Sequence, residues 1–89
     1  MIERTVTITN KYGIHARPAA EIVKTAAKFK CEITLVRDDV EVNGKSIMGV
    51  MMLAAEQGSQ LLVRAEGPDE EAAMAALTAL IASNFGEYA

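Results

Sequence analysis

The chain has 89 residues and a mass of 9.5 kDa, the size of one small domain, so residues 1–89 are predicted to form a single unit. Its net charge of -3 and pI near 5.0 argue against a nucleic-acid partner, because binding a phosphate backbone needs a dense basic surface. No apolar run approaches the roughly 20 residues of a membrane span, and no signal-peptide pattern is present. We therefore expect a cytoplasmic protein without membrane contact.

Cysteine and histidine each occur once, as Cys31 and His15. One cysteine cannot form an internal disulfide, and the pair cannot supply the three or four ligands of a zinc site. We therefore expect no metal and no other cofactor.

The first half of the chain predicts a strand, a helix and a hairpin. Residues 2–9 alternate in a period of two with many β-branched side chains, which is typical of a strand with one buried face. After a loop at 10–13, apolar residues recur every three or four positions from 16 to 29, which predicts an amphipathic helix. Residues 32–37 and 40–42 favour two strands joined tightly through Asp38 and Asp39.

The second half predicts two further helices around a fourth strand. Ser46 is a candidate N-cap for a short helix that ends before Gly58. Residues 61–66 alternate again, and Asp69 is the expected N-cap of the last helix. The buried stripe of that helix is predicted to comprise Ala73, Leu77, Leu80 and Ile81. The order βαββαβα predicts an α+β fold, an open two-layer α/β sandwich whose four-stranded, mostly antiparallel sheet carries its helices on one face.

The distribution of large apolar residues and of basic residues along the chain predicts a docking surface. The short helix has more large apolar residues than its buried side can accommodate, so some should form an exposed, adaptable patch, the alternative being that all are core. These residues are Ile47, Met48, Met51 and Met52. Lysine and arginine are concentrated in the first half of the chain, which is where an acidic partner is expected to dock.

The segment Gly13-Ile14-His15-Ala16-Arg17-Pro18 places the single histidine where a loop becomes the first helix. Proline is accepted in a first turn because its missing N–H would have no intrahelical partner there, so the helix should begin at Ala16 with His15 at or beside the N-cap. The backbone N–H groups of Ala16 and Arg17, the helix dipole and the Arg17 guanidinium would together favour a dianion. Because imidazole is a nucleophile, the arrangement predicts a phosphoryl group on His15, the alternative being an exposed histidine that only caps the helix.

This segment resembles the phosphorylation-site signature of HPr, the histidine-containing phosphocarrier family of the bacterial phosphoenolpyruvate-dependent sugar phosphotransferase system. Length, element order and Gly44-Lys45-Ser46-Ile47-Met48-Gly49-Val50-Met51 extend the resemblance over essentially the whole chain. The resemblance implies a carrier and not an enzyme. His15 would accept a phosphoryl group on Nδ1 from enzyme I and donate it to a sugar-specific enzyme IIA, and Arg17 would contact the phosphate.

The resemblance also implies that Ser46 is a regulatory phosphorylation site for an ATP-dependent HPr kinase/phosphorylase, the alternative being a plain N-cap serine. We expect a monomer that docks through the start of the first helix and through the Ser46 helix. The expected docking residues are Ala20, Lys24, Ile47, Met48, Met51 and Met52.

Two other functions are compatible with the sequence. One is a regulatory phosphocarrier of a nitrogen-related phosphotransferase branch, which would share the fold and His15. The other is a structural or binding domain in which His15 is incidental. Incubation with enzyme I and phosphoenolpyruvate tests for acid-labile phosphate on His15, whose absence would reject both phosphocarriers. Onward transfer to a sugar-branch enzyme IIA would favour the sugar carrier.

Overall fold

The computed structural model describes residues 1–86 and has the predicted order of helices and strands; the last three residues of the predicted 1–89 domain lie outside the described residues. Its elements are β1 (Ile2–Thr7), α1 (Ala16–Ala26), β2 (Glu32–Arg37), β3 (Val40–Asn43), α2 (Ile47–Met52), β4 (Gln60–Glu66) and α3 (Glu70–Ala82). A short turn, Asn84–Gly86, follows α3.

The four strands form one sheet in the order β1-β4-β2-β3, and each neighbouring pair is antiparallel. Leu35 of β2 lies opposite Val63 of the adjacent central strand β4, and both side chains are fully buried. Thr34 and Arg64 lie opposite each other on the other face and are partly exposed. The alternation therefore buries one face under the helices, which confirms the predicted open two-layer sandwich.

Small side chains on the helices allow a close approach to the sheet. Ala19, Ile22 and Ala26 of α1 are fully buried, and α1 packs against both α2 and α3. The predicted stripe of α3 is confirmed, with Leu80 partly buried against the core and Met74 as an additional buried member. Among the helices described here, none is both long and apolar enough to cross a membrane.

The first helix ends three residues earlier than the apolar pattern predicts. The amides of Lys28 and Phe29 donate to carbonyls three residues back, at Thr25 and Ala26, so the chain tightens into a turn after Ala26. Phe29 nevertheless packs against the core. Its burial explains why the periodicity continues beyond the end of the helix.

Asp69 occupies the predicted N-cap position of α3, but its side chain makes no capping bond. Its carboxylate accepts instead from the backbone amides of Lys30 and Cys31, at 2.8 and 2.9 Å, which attaches the α1–β2 loop to the start of α3. These bonds lower the pKa of Asp69 because they stabilise the charged carboxylate, and the bond from Lys30 has the largest effect. The predicted N-cap position is confirmed, but the carboxylate bonds to two amides of a loop distant in sequence and not to the first turn of α3.

Candidate functional site

The loop that leads to His15, residues 10–14, is attached to the core by a buried residue at each end. Asn10 is fully buried, and its Nδ2 donates to the carbonyl of Gly13 at 2.7 Å. Ile14 is also buried, and its amide donates to the carbonyl of Ala55 at 2.8 Å. Gly13 between them has a φ of +66°, in the left-handed region that favours glycine. The role of Asn10 was not predicted from the sequence, where the available signal is an asparagine three residues before a glycine in a loop.

His15 occupies the N-cap of α1, as predicted, with extended backbone angles (φ -90°, ψ -168°). Its carbonyl accepts the first intrahelical bond, from the amide of Ala19 at 2.9 Å. The amides of Ala16 and Arg17 therefore lie in the first turn, at the positive end of the helix dipole. The His15 imidazole is partly exposed and makes no capping bond to this helix.

Tyr12 lies against the imidazole of His15 and was also missed from the sequence. The ring centroids are 6.2 Å apart and the ring planes are at 81°, an edge-to-face arrangement. The ammonium of Lys11 lies over the Tyr12 ring, 5.4 Å from its centroid. An aromatic residue three positions before a single histidine, across a glycine, is a weak signal that only the loop geometry makes informative.

Arg17 extends from the first turn of α1 toward the end of the described chain. Its Nη2 donates to the carbonyl of Phe85 at 3.2 Å. Phe85 is a core residue with a φ of 58°. The sequence contains no local signal for this contact, because the two residues are 68 positions apart.

Ser46 is the N-cap of α2, as predicted, and its partly exposed side chain accepts from the amide of Gly49 at 3.1 Å. The six residues of α2 span about 9 Å along the helix axis. Ala55, just beyond the other end of α2, accepts the amide bond from Ile14 in the His15 loop. Ser46 and the His15 loop are therefore connected to opposite ends of the same short helix.

The four large apolar residues of α2 are all exposed, so the alternative that they are all core is wrong. Their relative exposures are 47% for Ile47, 76% for Met48, 45% for Met51 and 69% for Met52. Val50 is the buried residue of this helix and attaches it to the core. Ala20 and Lys24 are exposed on α1, and α1 packs beside α2. The structure thus brings the expected docking residues onto two contacting helices.

Cys31 is not suited to nucleophilic chemistry. It is 1% exposed, and burial, assisted by the Asp69 carboxylate, raises the pKa of its thiol. A buried neutral thiol is a poor nucleophile. Within residues 1–86, no three histidine, cysteine, aspartate or glutamate side chains are grouped to hold a metal ion. His15, partly exposed at the N-cap of α1, is the candidate nucleophile that the sequence predicts.

Comparison with known proteins identifies the family. The family model described as the PTS HPr component phosphorylation site matches residues 2–83. The chain belongs to the HPr family. The phosphocarrier protein HPr of Treponema pallidum is 52% identical over 87 residues, which are 98% of this chain and 99% of that one. The protein is therefore an HPr phosphocarrier of the phosphotransferase system, which serves sugar transport.

Solved structures of similar proteins have the same fold. The crystal structure of HPr-C-His from Thermoanaerobacter tengcongensis has a TM-score of 0.96 and 52% identity, with full coverage of both chains. A crystal structure of an HPr dimer from the same organism has a TM-score of 0.79 and 53% identity, covering 98% of this chain and 100% of that one. The resemblance inferred from the sequence is confirmed over the whole fold.

Proposed function

We propose that this HPr-family chain accepts a phosphoryl group on Nδ1 of His15 from enzyme I and donates it to a sugar-specific enzyme IIA. The observation that carries the proposal is the position of the single histidine, partly exposed at the N-cap of α1 in a chain matched by the family's phosphorylation-site model. The carrier has a covalent intermediate and acts as a substrate of its partners, so it is not itself an enzyme.

Transfer to the carrier exchanges one N–P bond for another. The lone pair of Nδ1 attacks phosphorus, the donor's N–P bond breaks, and its electron pair returns to the donor imidazole. The charge on the transferred group is stabilised by the first-turn amides of Ala16 and Arg17 and by the Arg17 guanidinium. A phosphoryl dianion is a stronger acceptor than the Phe85 carbonyl, so we expect the guanidinium to turn from that carbonyl to the phosphate.

The proposed docking surface consists of the exposed faces of α1 and α2. On α1, Ala20 contributes a small exposed side chain and Lys24 a positive charge, and the apolar residues of α2 contribute an adaptable part. Enzyme I and enzyme IIA would use this surface in turn, because each must reach His15 beside it. An acidic partner surface would complement the exposed ammonium of Lys24.

We also propose that HPr kinase/phosphorylase modifies Ser46. Its hydroxyl is partly exposed at the N-terminus of α2, next to the exposed Ile47 and Met48. A phosphate there would place about -1.5 to -2 charges beside an apolar surface that a partner must desolvate. Phosphorylation of Ser46 would therefore weaken the binding of a partner to this surface directly.

The decisive experiment is incubation with enzyme I and phosphoenolpyruvate, with His15→Ala as the control. The expected product is an acid-labile phosphate in the wild type and none in the variant, detected by phosphorus NMR. Onward transfer to an enzyme IIA of the sugar branch supports the proposal, whereas transfer only to a nitrogen-related acceptor supports the regulatory branch. Absence of acid-labile phosphate rejects both.

We expect the chain to act as one phosphocarrier domain, as a monomer, in the cytoplasm. Light scattering after size exclusion checks the mass, since a similar protein has been crystallised as a dimer. A mass of about twice 9.5 kDa at working concentration would contradict the monomer.

A further inference from the structure

Tyr12 combines high exposure with a defined geometry. Its side chain is 70% exposed, yet the ring lies edge-to-face with the His15 imidazole, at a centroid distance of 6.2 Å. That distance and the 81° interplanar angle lie within the favourable range for aromatic pairs. The exposed Tyr12 ring therefore lies in defined geometry beside the proposed phosphoryl acceptor.

The backbone on both sides of Tyr12 is held in one conformation, which fixes where the ring can lie relative to His15. Asn10 on one side and Ile14 on the other are buried, and their hydrogen bonds to Gly13 and Ala55 hold the loop against the core. The Lys11 ammonium lies over the Tyr12 ring at 5.4 Å from its centroid, within the range of a cation–π contact. The buried residues Asn10 and Ile14 therefore fix the loop that carries the Tyr12 ring, and the Lys11 ammonium contacts the ring itself.

We propose that Tyr12 is a positioning residue for His15, which limits the orientations of the imidazole and so preorganises it to accept a phosphoryl group. The proposal rests on the proposed function of His15 and extends it to a second side chain. Tyr12 takes no part in the bond exchange. Because a contact between exposed rings is weak, we expect its loss to reduce the turnover of phosphoryl acceptance by about two- to threefold.

Three variants separate the possible contributions of the ring. Tyr12→Phe keeps the aromatic ring and removes the hydroxyl, Tyr12→Leu keeps apolar bulk without the π system, and Tyr12→Ala removes both. The first readout is NMR of the unphosphorylated protein, using the His15 ring-proton shifts and the side-chain couplings that report its rotamers. This measurement needs no phosphoryl donor. The second readout is kcat and KM for acceptance from phosphorylated enzyme I.

The expected result is that Tyr12→Phe matches the wild type in both readouts. Tyr12→Ala and Tyr12→Leu should shift the His15 ring protons, average the couplings and lower kcat about two- to threefold with KM unchanged. Unchanged His15 signals in Tyr12→Ala would overturn the proposal. A rise in KM alone would also overturn it, since Tyr12 would then be a docking residue, as would altered NMR signals with unchanged kcat. A wild type that accepts no phosphate rejects the proposed function, and the NMR comparison alone then decides whether Tyr12 orients His15.

Discussion

Arg17, in the first turn of α1, donates a 3.2 Å hydrogen bond to the carbonyl of Phe85 in the last turn of the described chain. Phe85 and the preceding Asn84 have φ values of 58° and 56°, in the left-handed region. Asparagine tolerates that region, but it costs a bulky residue such as Phe85 about 1–2 kcal/mol, so tertiary contacts must hold this turn. The buried Phe85 ring supplies such a contact. The proposed phosphate-contacting guanidinium is therefore held by a turn that depends on the packed core.

Replacing Arg17 by alanine should slow phosphoryl transfer by at least about tenfold while leaving phosphorylation detectable. The guanidinium shares the stabilisation of developing charge with the amides of the first turn, which the substitution leaves in place. Quenched-flow measurement of transfer from enzyme I and to enzyme IIA tests this. Arg17→Lys keeps the positive charge but loses the planar guanidinium, so its transfer rates should lie between those of the wild type and Arg17→Ala. Rates equal to wild type with both partners would show that Arg17 has no part in the chemistry.

Replacing His15 by alanine should abolish phosphoryl acceptance with little effect on folding. The imidazole makes no capping bond to α1, so the substitution should change the free energy of unfolding by less than about 1 kcal/mol. Urea unfolding checks the fold, and phosphorus NMR after incubation with enzyme I checks acceptance. Acid-labile phosphate in a folded His15→Ala sample would refute the assignment.

Phosphorylation of Ser46 should weaken binding to enzyme I without unfolding the protein. The added charge lies at the N-terminus of α2, where the helix dipole stabilises it, but it repels an acidic partner and opposes desolvation of the neighbouring Ile47 and Met48. Calorimetric titration of enzyme I with homogeneous phospho-Ser46 protein measures the effect.

Ser46→Ala provides the matching control. It removes the bond from the amide of Gly49 and should cost about 1 kcal/mol of stability, without a comparable loss of affinity. Equal affinity of the phosphorylated and unmodified proteins at low and at physiological salt would show that Ser46 acts only as a cap.

Gly13→Ala should destabilise the protein by about 2–4 kcal/mol, because a Cβ there would meet the Ala55 carbonyl oxygen at 2.4 Å and the Glu56 Cα at 2.7 Å. Gly58→Ala is the control, since Gly58 also has positive φ, +92°, but a Cβ added there would have no neighbouring atom within 4 Å among the described residues. That variant should lose only about 1 kcal/mol from backbone strain. Equal urea midpoints for the two variants would contradict the close approach of the two loops.

Acid should destabilise the fold partly through Asp69. Its pKa is lower in the folded than in the unfolded chain, so its carboxylate stabilises the fold above the unfolded pKa, and this stability is lost from about pH 4 downward as the folded carboxylate is protonated. Asp69→Asn keeps an acceptor oxygen but cannot titrate. Its urea midpoint should therefore fall less steeply than that of the wild type below pH 4. Parallel curves would show that the bonds to Lys30 and Cys31 do not depend on the charge.

Much of the fold could be predicted because local rules and global packing agree. The period-two pattern of the strands, the proline in the first turn at Pro18 and the serine before α2 each depend on backbone geometry within a few residues. Even the start of α1 at Ala16 follows from such local rules. Local rules gave the N-cap position of Asp69 but not its hydrogen bonds, because its carboxylate bonds to the distant amides of Lys30 and Cys31.

Residue type and spacing were enough to predict the element order, the position of His15 at a helix start and the surplus of apolar residues on the short helix. Three contacts could be found only in the folded structure: Tyr12 with His15, Arg17 with Phe85, and the His15 loop with the segment after α2 at Ala55. Spacing along the chain specifies which residues share a face of one element. Contacts between separate elements depend on how those elements pack, and packing is a property of the whole core.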